Sequence, residues 1–189
     1  MSTTPDFVVI DVETACSRSS SICQIGIVAF TQGRETFAWE TLIDPRDDFS
    51  PFNTRIHGIA AYHVAAAPHF GEVHHIVDTH LAGRLTVAHS SFDRRALAKA
   101  CLVHERDRIA TRWLDSVVVA RRAWPDLPNH KLGTLARHLG LTHRHHDALS
   151  DARAAGHVIL HAIAETGIAL ADWLTPLAKV RRKHEQPGN

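Results

Sequence analysis

Cysteine is scarce in this sequence, and its few residues form no recognisable pair. The 189 residues include three cysteines, Cys16, Cys23 and Cys101, and none of them falls in a C-x-x-C spacing. Neither a disulfide framework nor a cysteine-ligated zinc site is therefore expected. We expect a cytoplasmic protein, because a reducing compartment is the default for such cysteine usage.

Long apolar runs and an excess of one charge are missing as well. No run approaches the roughly 20 apolar residues that span a bilayer, and the first residues lack the basic and apolar segments of a signal peptide. We therefore expect no membrane association. Lys and Arg total 21 and Asp and Glu total 20, so the net charge of +1 argues against gripping long nucleic acid through net charge alone. A local basic groove that binds nucleic acid is still compatible with this balance.

The order of predicted strands and helices indicates one α/β domain over residues 1–180, followed by a polar, disordered tail over residues 181–189. Three strands come first and are predicted at 7–10, 22–30 and 36–43. A tight turn at Gly33 joins the second to the third, which indicates an antiparallel meander. Two short strands follow, at 85–88 and 113–114. Helices are predicted at 68–81, 91–102, 116–124, 131–139, 147–166 and 170–180.

Two acidic residues end the first strand. Asp11 and Glu13 are two positions apart, so their side chains project from the same face of the strand. Paired carboxylates at the end of an apolar strand repel each other and resist burial as ions, which favours a hard cation such as Mg²⁺ or Mn²⁺ between them. The alternative is that the strand has surfaced and both acids are solvated.

A third acid, Asp93, follows the fourth predicted strand. An acid just beyond a strand end lies where ligands bind in open α/β sheets. The alternative is a helix capping box, with Ser90 as the cap and Asp93 in the first turn.

His146 and Asp151 lie at the start of the longest predicted helix. Five positions apart on a helix, the two side chains cannot share one face. If both serve one site, His146 lies in the preceding loop, Asp147 caps the helix, and Asp151 lies in its first turns. Asp151 also borders the apolar stripe of the helix, which argues against a solvated surface residue.

The ordered set of D-x-E, F-D and H-x-x-x-x-D resembles the signature of the DEDDh, or DnaQ-like, family of 3′–5′ exonucleases. The epsilon subunit of DNA polymerase III, RNase T and oligoribonuclease belong to this family. The segments 56–59 and 67–70 resemble a further family segment, H-G-I, which lies near the terminal nucleotide in relatives. The resemblance covers roughly residues 6–165 and all five family-defining positions.

The resemblance implies an RNase H-like fold, with a five-stranded mixed sheet whose first three strands are antiparallel and which helices flank. It also implies two Mg²⁺ or Mn²⁺ ions held by four carboxylates: Asp11, Glu13, Asp93 and Asp151. Asp11 would be shared by both ions. Two such ions suit phosphodiester hydrolysis, because one activates the attacking water and the other stabilises the leaving 3′ oxygen.

His146 is implied as the general base, because an imidazole with a pKa near 6.5 accepts a proton at working pH. The four-residue gap to Asp151 selects His146 over His145, which is interpreted as a bystander. The expected reaction releases nucleoside 5′-monophosphates from a 3′ end.

The substrate side is expected to include three residues: Thr14, His57 and Phe92. The expected partner is a single-stranded end with a free 3′ terminus, with DNA favoured and an exoribonuclease or oligoribonuclease as the alternative. A homodimer and an association with a polymerase or repair complex both stay open. Five basic residues either follow phosphates or form solvated faces: Arg94, Arg95, Arg121, Arg122 and Lys131.

Three other classes of protein fit the sequence less well. A non-catalytic nucleic-acid-binding module is disfavoured by the intact set of acids and histidine. An HD-type metal phosphohydrolase, suggested by His146 and Asp147, is disfavoured by the N-terminal strands, since that class is helical throughout. A serine hydrolase is excluded because no G-x-S-x-G elbow exists.

Overall fold

The apolar run of residues 7–10 lies in the central strand of a five-stranded sheet. The computed structural model describes residues 4–174. Its strands are β1 (Phe7–Thr14), β2 (Ile22–Thr31), β3 (Arg34–Leu42), β4 (Leu85–Ala88) and β5 (Arg112–Asp115). They are ordered β3-β2-β1-β4-β5. Strands β1 to β3 are antiparallel, and β4 runs parallel to both β1 and β5, which confirms the RNase H-like sheet.

Helices cover both faces of this sheet. In order along the described chain they are α1 (Pro51–His57), α2 (Ala61–Val64), α3 (Phe70–Leu81), α4 (Phe92–Val103), α5 (Ser116–Ala123), α6 (Leu132–His138) and α7 (Ala148–Thr166). A 3₁₀ helix follows at Leu170–Leu174. Among residues 4–174, none of these helices is both long enough and apolar enough to cross a membrane.

Alternating side chains of β1 separate two apolar cores. Phe7 and Val9 pack on the face that α5, α6 and α7 cover, whereas Val8 and Ile10 pack on the face of α3 and α4. Burial on both faces explains why β1 is a continuous apolar run instead of an alternating one. The strand therefore ends between the two helical layers, where the starts of α4 and α7 meet it.

Some sequence predictions differ from the structure in extent. Strand β1 continues through Thr14, so the acidic pair belongs to the strand itself. The short helices α1 and α2 were not predicted. Residues 170–174 form a 3₁₀ helix where the start of an α-helix was expected. The rest of that predicted helix and the tail over 181–189 lie outside the described residues.

The close approach of β2 to the start of α7 depends on Gly26. A Cβ added at this position would lie 2.4 Å from the carbonyl carbon of Ala148, a backbone atom that can move only with the helix. We expect Gly26→Ala to lower the free energy of unfolding by about 1–3 kcal/mol, measured by urea or thermal unfolding. Gly133→Ala is the matched control, because an added Cβ there meets nothing within 4 Å in α6. It should leave stability equal or higher, and an equal loss in both variants would contradict this account.

Candidate active site

Strand β1 presents its two acids on one side of the sheet. Asp11 and Glu13 continue the face of Phe7 and Val9, against which α7 packs. Asp11 lies opposite Gly26 in the β1–β2 pairing, and the missing side chain there lets the start of α7 come close. Both acids therefore lie at the point where the strand meets the helix, as the spacing predicted.

Asp93 reaches this point from α4, on the other side of the sheet. It is only 3% exposed, and its Oδ1 accepts the backbone N–H of Val12 at 3.1 Å. The capping-box alternative is wrong, because the residue at the helix cap is Ser91 and it makes no side-chain capping bond. Ser90 instead adopts a φ of +114° and accepts the N–H of Phe92 through its hydroxyl at 3.2 Å. The bond from the Val12 N–H holds the carboxylate of Asp93 against β1 through Oδ1.

The start of α7 brings the last acid and the histidine. Asp147 caps the helix by accepting the N–H of Ser150 at 2.9 Å, and Asp151 follows in the first turn, 4% exposed. Asp151 Oδ2 accepts the backbone N–H of His146 at 3.0 Å. His146 has a φ of +62°, unusual for a residue other than glycine, and its Nδ1 lies 3.8 Å from Glu13 Oε1. The loop-and-helix placement inferred from the spacing therefore matches the structure.

Two further histidines contact Asp151. The side chain of His143 is 6% exposed, and its Nε2 is hydrogen-bonded to Asp151 Oδ1. His145 stacks on His146 with ring centroids 3.8 Å apart, and its Nδ1 lies 3.7 Å from Asp151 Oδ2. Sequence reasoning missed His143, since its eight-residue separation from Asp151 across a loop has no periodic signal. The structure places His145 against the site, nearer than its interpretation as a bystander suggested.

All eight residues expected from the sequence line one cleft with a volume of about 670 Å³: Asp11, Glu13, Thr14, His57, Phe92, Asp93, His146 and Asp151. Helix α1 adds Ile56, from the segment 56–59 noted in the sequence, and Asn53, which the sequence analysis did not identify. Asn53 Nδ2 donates to the carbonyl oxygen of Thr14 at 2.9 Å. This bond fixes α1 against the end of β1.

His57 is held within this wall by both ring nitrogens. Its Nδ1 accepts the N–H of Ile59 at 3.0 Å, so its Nε2 donates to the carbonyl oxygen of Thr14 at 3.2 Å. Burial lowers the pKa of His57, which favours this neutral form. The imidazole positions the end of α1, and its expected contact with a terminal sugar or phosphate stays a prediction.

The acids of the cleft repel one another. Burial, followed by the charges of Asp151 and Asp93, raises the pKa of Glu13 from 4.5 to about 8. Burial also raises the pKa of Asp93 to about 7, although backbone N–H groups favour its ionised form. Burial and then Asp93 and Asp151 raise the pKa of Asp11 well above its usual value. Among residues 4–174, no Lys or Arg forms an ion pair with these three acids.

This donor set fits a hard divalent cation. Donor atoms of Glu13, His146 and Asp151 lie within 4.8 Å of one another, and Asp11 and Asp93 add carboxylate oxygens to the same cleft. Carboxylate oxygens are the ligands that such cations prefer, and a bound cation relieves the mutual repulsion. Asp151 keeps free lone pairs for this purpose, because each carboxylate oxygen carries two.

The raised pKa values predict how the metal-free protein responds to pH. A carboxyl whose pKa is raised by folding weakens the fold as pH rises from its unfolded pKa towards its folded pKa. For Glu13 that window runs from 4.5 to about 8, and for Asp93 from 3.8 to about 7. In EDTA we expect the Tm to fall on the order of 10 °C between about pH 6 and pH 9.

Saturating Mg²⁺ should remove most of this fall, because binding to the folded state adds stability where the carboxyls are ionised. Thermal unfolding at each pH, with and without the metal, measures both effects. An Asp11→Asn variant is the control and should show a flatter profile in EDTA. A fall of the same size with saturating metal would contradict the assignment of the repulsion to a cation site.

His143 is expected to act by holding Asp151. We expect His143→Ala to weaken divalent-metal binding about 10–100-fold, the usual effect of removing a residue that orients a ligand. His143→Gln, which can still donate to Asp151 Oδ1, should recover part of the affinity. His75→Ala, on an exposed residue of α3, is the control. Isothermal titration with Mn²⁺ measures all three, and unchanged affinity in His143→Ala would contradict this role.

Three separate elements thus bring acids to the end of β1 in an RNase H-like sheet, with an imidazole beside them. This combination of fold and site is that of the DnaQ-like exonuclease class. The sequence profile of the RNase T family, described as "Exonuclease", matches residues 8–159. The chain therefore belongs to the RNase T exonuclease family, whose members use divalent metal ions.

Individual relatives agree with this class. A PolC-type DNA polymerase III of Clostridium perfringens (strain 13 / Type A) is 28% identical over 157 residues, which are 82% of this chain and 11% of the polymerase. The chain thus spans about a tenth of that relative's length. Exonuclease X in complex with 5′ overhanging duplex DNA has a similar fold, with 23% identity, a TM-score of 0.73, and 89% of this chain and 99% of that chain covered.

The same fold occurs in an exonuclease that recognises RNA. A 3′-exonuclease in a structure of histone mRNA stem-loop recognition has a TM-score of 0.73 at 17% identity, with 87% of this chain and 84% of that chain covered. Fold similarity therefore does not decide between DNA and RNA.

Proposed function

We propose that the chain removes nucleotides from the 3′ end of DNA, releases nucleoside 5′-monophosphates, and requires two Mg²⁺ or Mn²⁺ ions. The observation that carries this proposal is the convergence of eight sequence-selected residues, four of them acids, on one cleft. The ions would be held by Asp11, Glu13, Asp93 and Asp151. When bound, they supply a nucleophile near neutral pH and stabilise charge on the leaving oxygen.

We assign proton transfer to His146. Its ring is 38% exposed, so it borders the cleft and can reach a water there. Burial, and next the neighbouring His145, lower the pKa of His146, so the imidazole is neutral and free to accept a proton near neutral pH. The left-handed backbone and the bond from its N–H to Asp151 fix where the ring points.

We assign the terminal nucleotide to the part of the cleft wall beside the acids. Thr14, at the end of β1, Phe92, at the start of α4, and His57 in α1 line the cleft beside the carboxylates. DNA is favoured over RNA because the PolC-type relative is a DNA polymerase and the Exonuclease X structure contains DNA. A cytoplasmic location, a homodimer and an association with a polymerase or repair complex stay predictions.

The decisive experiment uses 5′-labelled single-stranded DNA, duplex DNA and RNA, each with Mg²⁺, Mn²⁺ or EDTA. We expect a ladder of products that shortens from the 3′ end, fastest on single-stranded DNA, with mononucleotides released and no activity in EDTA. A faster ladder on RNA would favour the exoribonuclease alternative.

Two other outcomes would contradict the proposal. Tight binding without any turnover would favour the non-catalytic module. Hydrolysis of free nucleotide phosphates alone would favour HD-type chemistry, which the five-stranded sheet already disfavours. Asp147, the second residue of the suggested HD pair, caps α7 and pairs with Arg144.

A further inference from the structure

The five basic residues singled out in the sequence lie in different surroundings. Two of them line the active-site cleft itself: Arg121 and Lys131. Arg122 lies over the ring of Trp173 at 5.1 Å and Arg94 lines a small separate pocket, so neither lines the cleft. Arg95, the immediate neighbour of Arg94, faces a different part of the surface.

Arg95 belongs to a groove that adjoins the active-site cleft. The groove has a volume of about 580 Å³ and runs between α4 and the loop that joins β1 to β2. Its lining includes Ser17, Ser19, Phe92, Arg95, Lys99 and Leu102. Phe92 lines both the groove and the cleft, so the two adjoin at this residue. A polymer that enters the cleft can therefore extend along the groove.

The groove carries positive charge that the described part of the chain does not neutralise. Arg95 and Lys99 are four positions apart on α4, so they share one helix face, and both are exposed. Among residues 4–174, neither forms an ion pair with an acid, whereas Arg18 of the facing loop is paired with Asp47. These two exposed cations, which form no ion pair within residues 4–174, thus lie beside an acidic cleft and are accessible to an anionic partner.

We propose that this groove binds the phosphodiester backbone of the substrate beyond the cleft, with Arg95 and Lys99 as the phosphate contacts. The inference rests on the proposed function for the position of the 3′ end, and on charge and adjacency for the path of the polymer. A substrate too short to reach the groove gains nothing from it, so affinity should rise with length. Because the net charge of +1 supplies little long-range attraction, local contacts of this kind are expected to contribute to affinity.

The test compares charge reversal at adjacent positions of one helix. Arg95→Glu and Lys99→Glu are set against Arg94→Glu, which changes the net charge of the same helix equally. Each variant is assayed for KM and kcat on a dinucleotide and on a series of longer single-stranded and duplex DNAs, and for binding of a labelled oligonucleotide by fluorescence anisotropy over a range of salt.

We expect Arg95→Glu and Lys99→Glu to raise KM about tenfold on long substrates, with kcat and dinucleotide turnover retained. Each should also reduce the salt dependence of binding. The slope of log affinity against log salt concentration should fall in magnitude by about 0.7 for single strands and about 0.9 for duplex. Arg94→Glu should match the wild type. A loss confined to duplex DNA would assign the groove to the complementary strand, and a loss on single strands would assign it to the cleaved strand.

Equal effects at positions 94 and 95, or no dependence on substrate length, would overturn the groove as a binding site. Equal loss on the dinucleotide would overturn it too, by showing an effect on the catalytic site. If the wild type hydrolyses no substrate, the proposed function fails, and the anisotropy comparison still decides whether the groove binds nucleic acid.

Discussion

An Asp11→Asn variant is expected to lose exonuclease turnover by roughly 10³-fold or more, together with binding of divalent metal. Asp11 lies in the central strand of the sheet, and burial, followed by the charges of Asp93, Asp151 and Glu13, raises its pKa. The other acids therefore all contribute negative potential at Asp11. Asparagine keeps the size of the side chain but removes the charge that attracts a cation.

The same substitution should stabilise the metal-free protein. Near neutral pH the Asp11 carboxyl is ionised in the unfolded chain, whereas the buried cluster disfavours its ionised form, so asparagine removes a cost of folding. In EDTA near neutral pH, we therefore expect a higher Tm for Asp11→Asn than for the wild type, with the order reversed when Mg²⁺ is saturating. Calorimetric titration with Mn²⁺, thermal unfolding and the labelled-DNA assay together measure these effects.

This pair of opposite signs distinguishes a ligand from a structural residue. A residue needed only for folding would lower both Tm and activity. Asp48→Asn, at an acid outside the cleft, is the control and should alter neither. Metal binding and turnover within a few-fold of wild type in Asp11→Asn would exclude the carboxylate from the site.

The sequence sufficed for the strands and the main site because these depend on local periodicity. The run of residues 7–10 is apolar throughout, as a strand buried on both faces requires, and the acids continue its period of two. The turn between β2 and β3 has positive φ at Gln32 and Gly33, the conformation that Gly33 had indicated. Asp147 and Asp151 likewise followed from helix-capping and helix-face rules.

Features that depend on tertiary contacts could not be predicted in this way. Helix α1 has a capping serine, Ser50, and a proline in its first turn, but it buries no residue and so has no apolar stripe. The bond between His143 and Asp151 joins a loop to a helix, and no spacing rule specifies it. Arg94 and Arg95 are adjacent in sequence, and only the folded position of the β1–β2 loop distinguishes their surroundings.

The second large effect is expected at His146. We expect His146→Ala to lower kcat about 10²–10⁴-fold, the range for removing a general base, while metal affinity changes little. The ring lies 3.8 Å from Glu13, but the carboxylates that fit the cation site are all retained. The neighbouring His145→Ala is the matched comparison and should lose less, because the His145 side chain is 53% exposed and stacks on His146.

Proton transfer can be separated from a structural role at this position. The side chain of His146 is 38% exposed at the cleft, so free imidazole can enter the space that alanine leaves and restore part of the turnover. Because the pKa of His146 is lowered, the wild-type rate should begin to fall with decreasing pH only below the ordinary histidine range near 6.5. Bound cations would shift this fall to still lower pH. Rescue that follows the fraction of neutral imidazole as pH rises would identify the ring as the base. A variant that imidazole never rescues, and that has also lost its metal, would instead make His146 a ligand, and the four acids would then act with a different base.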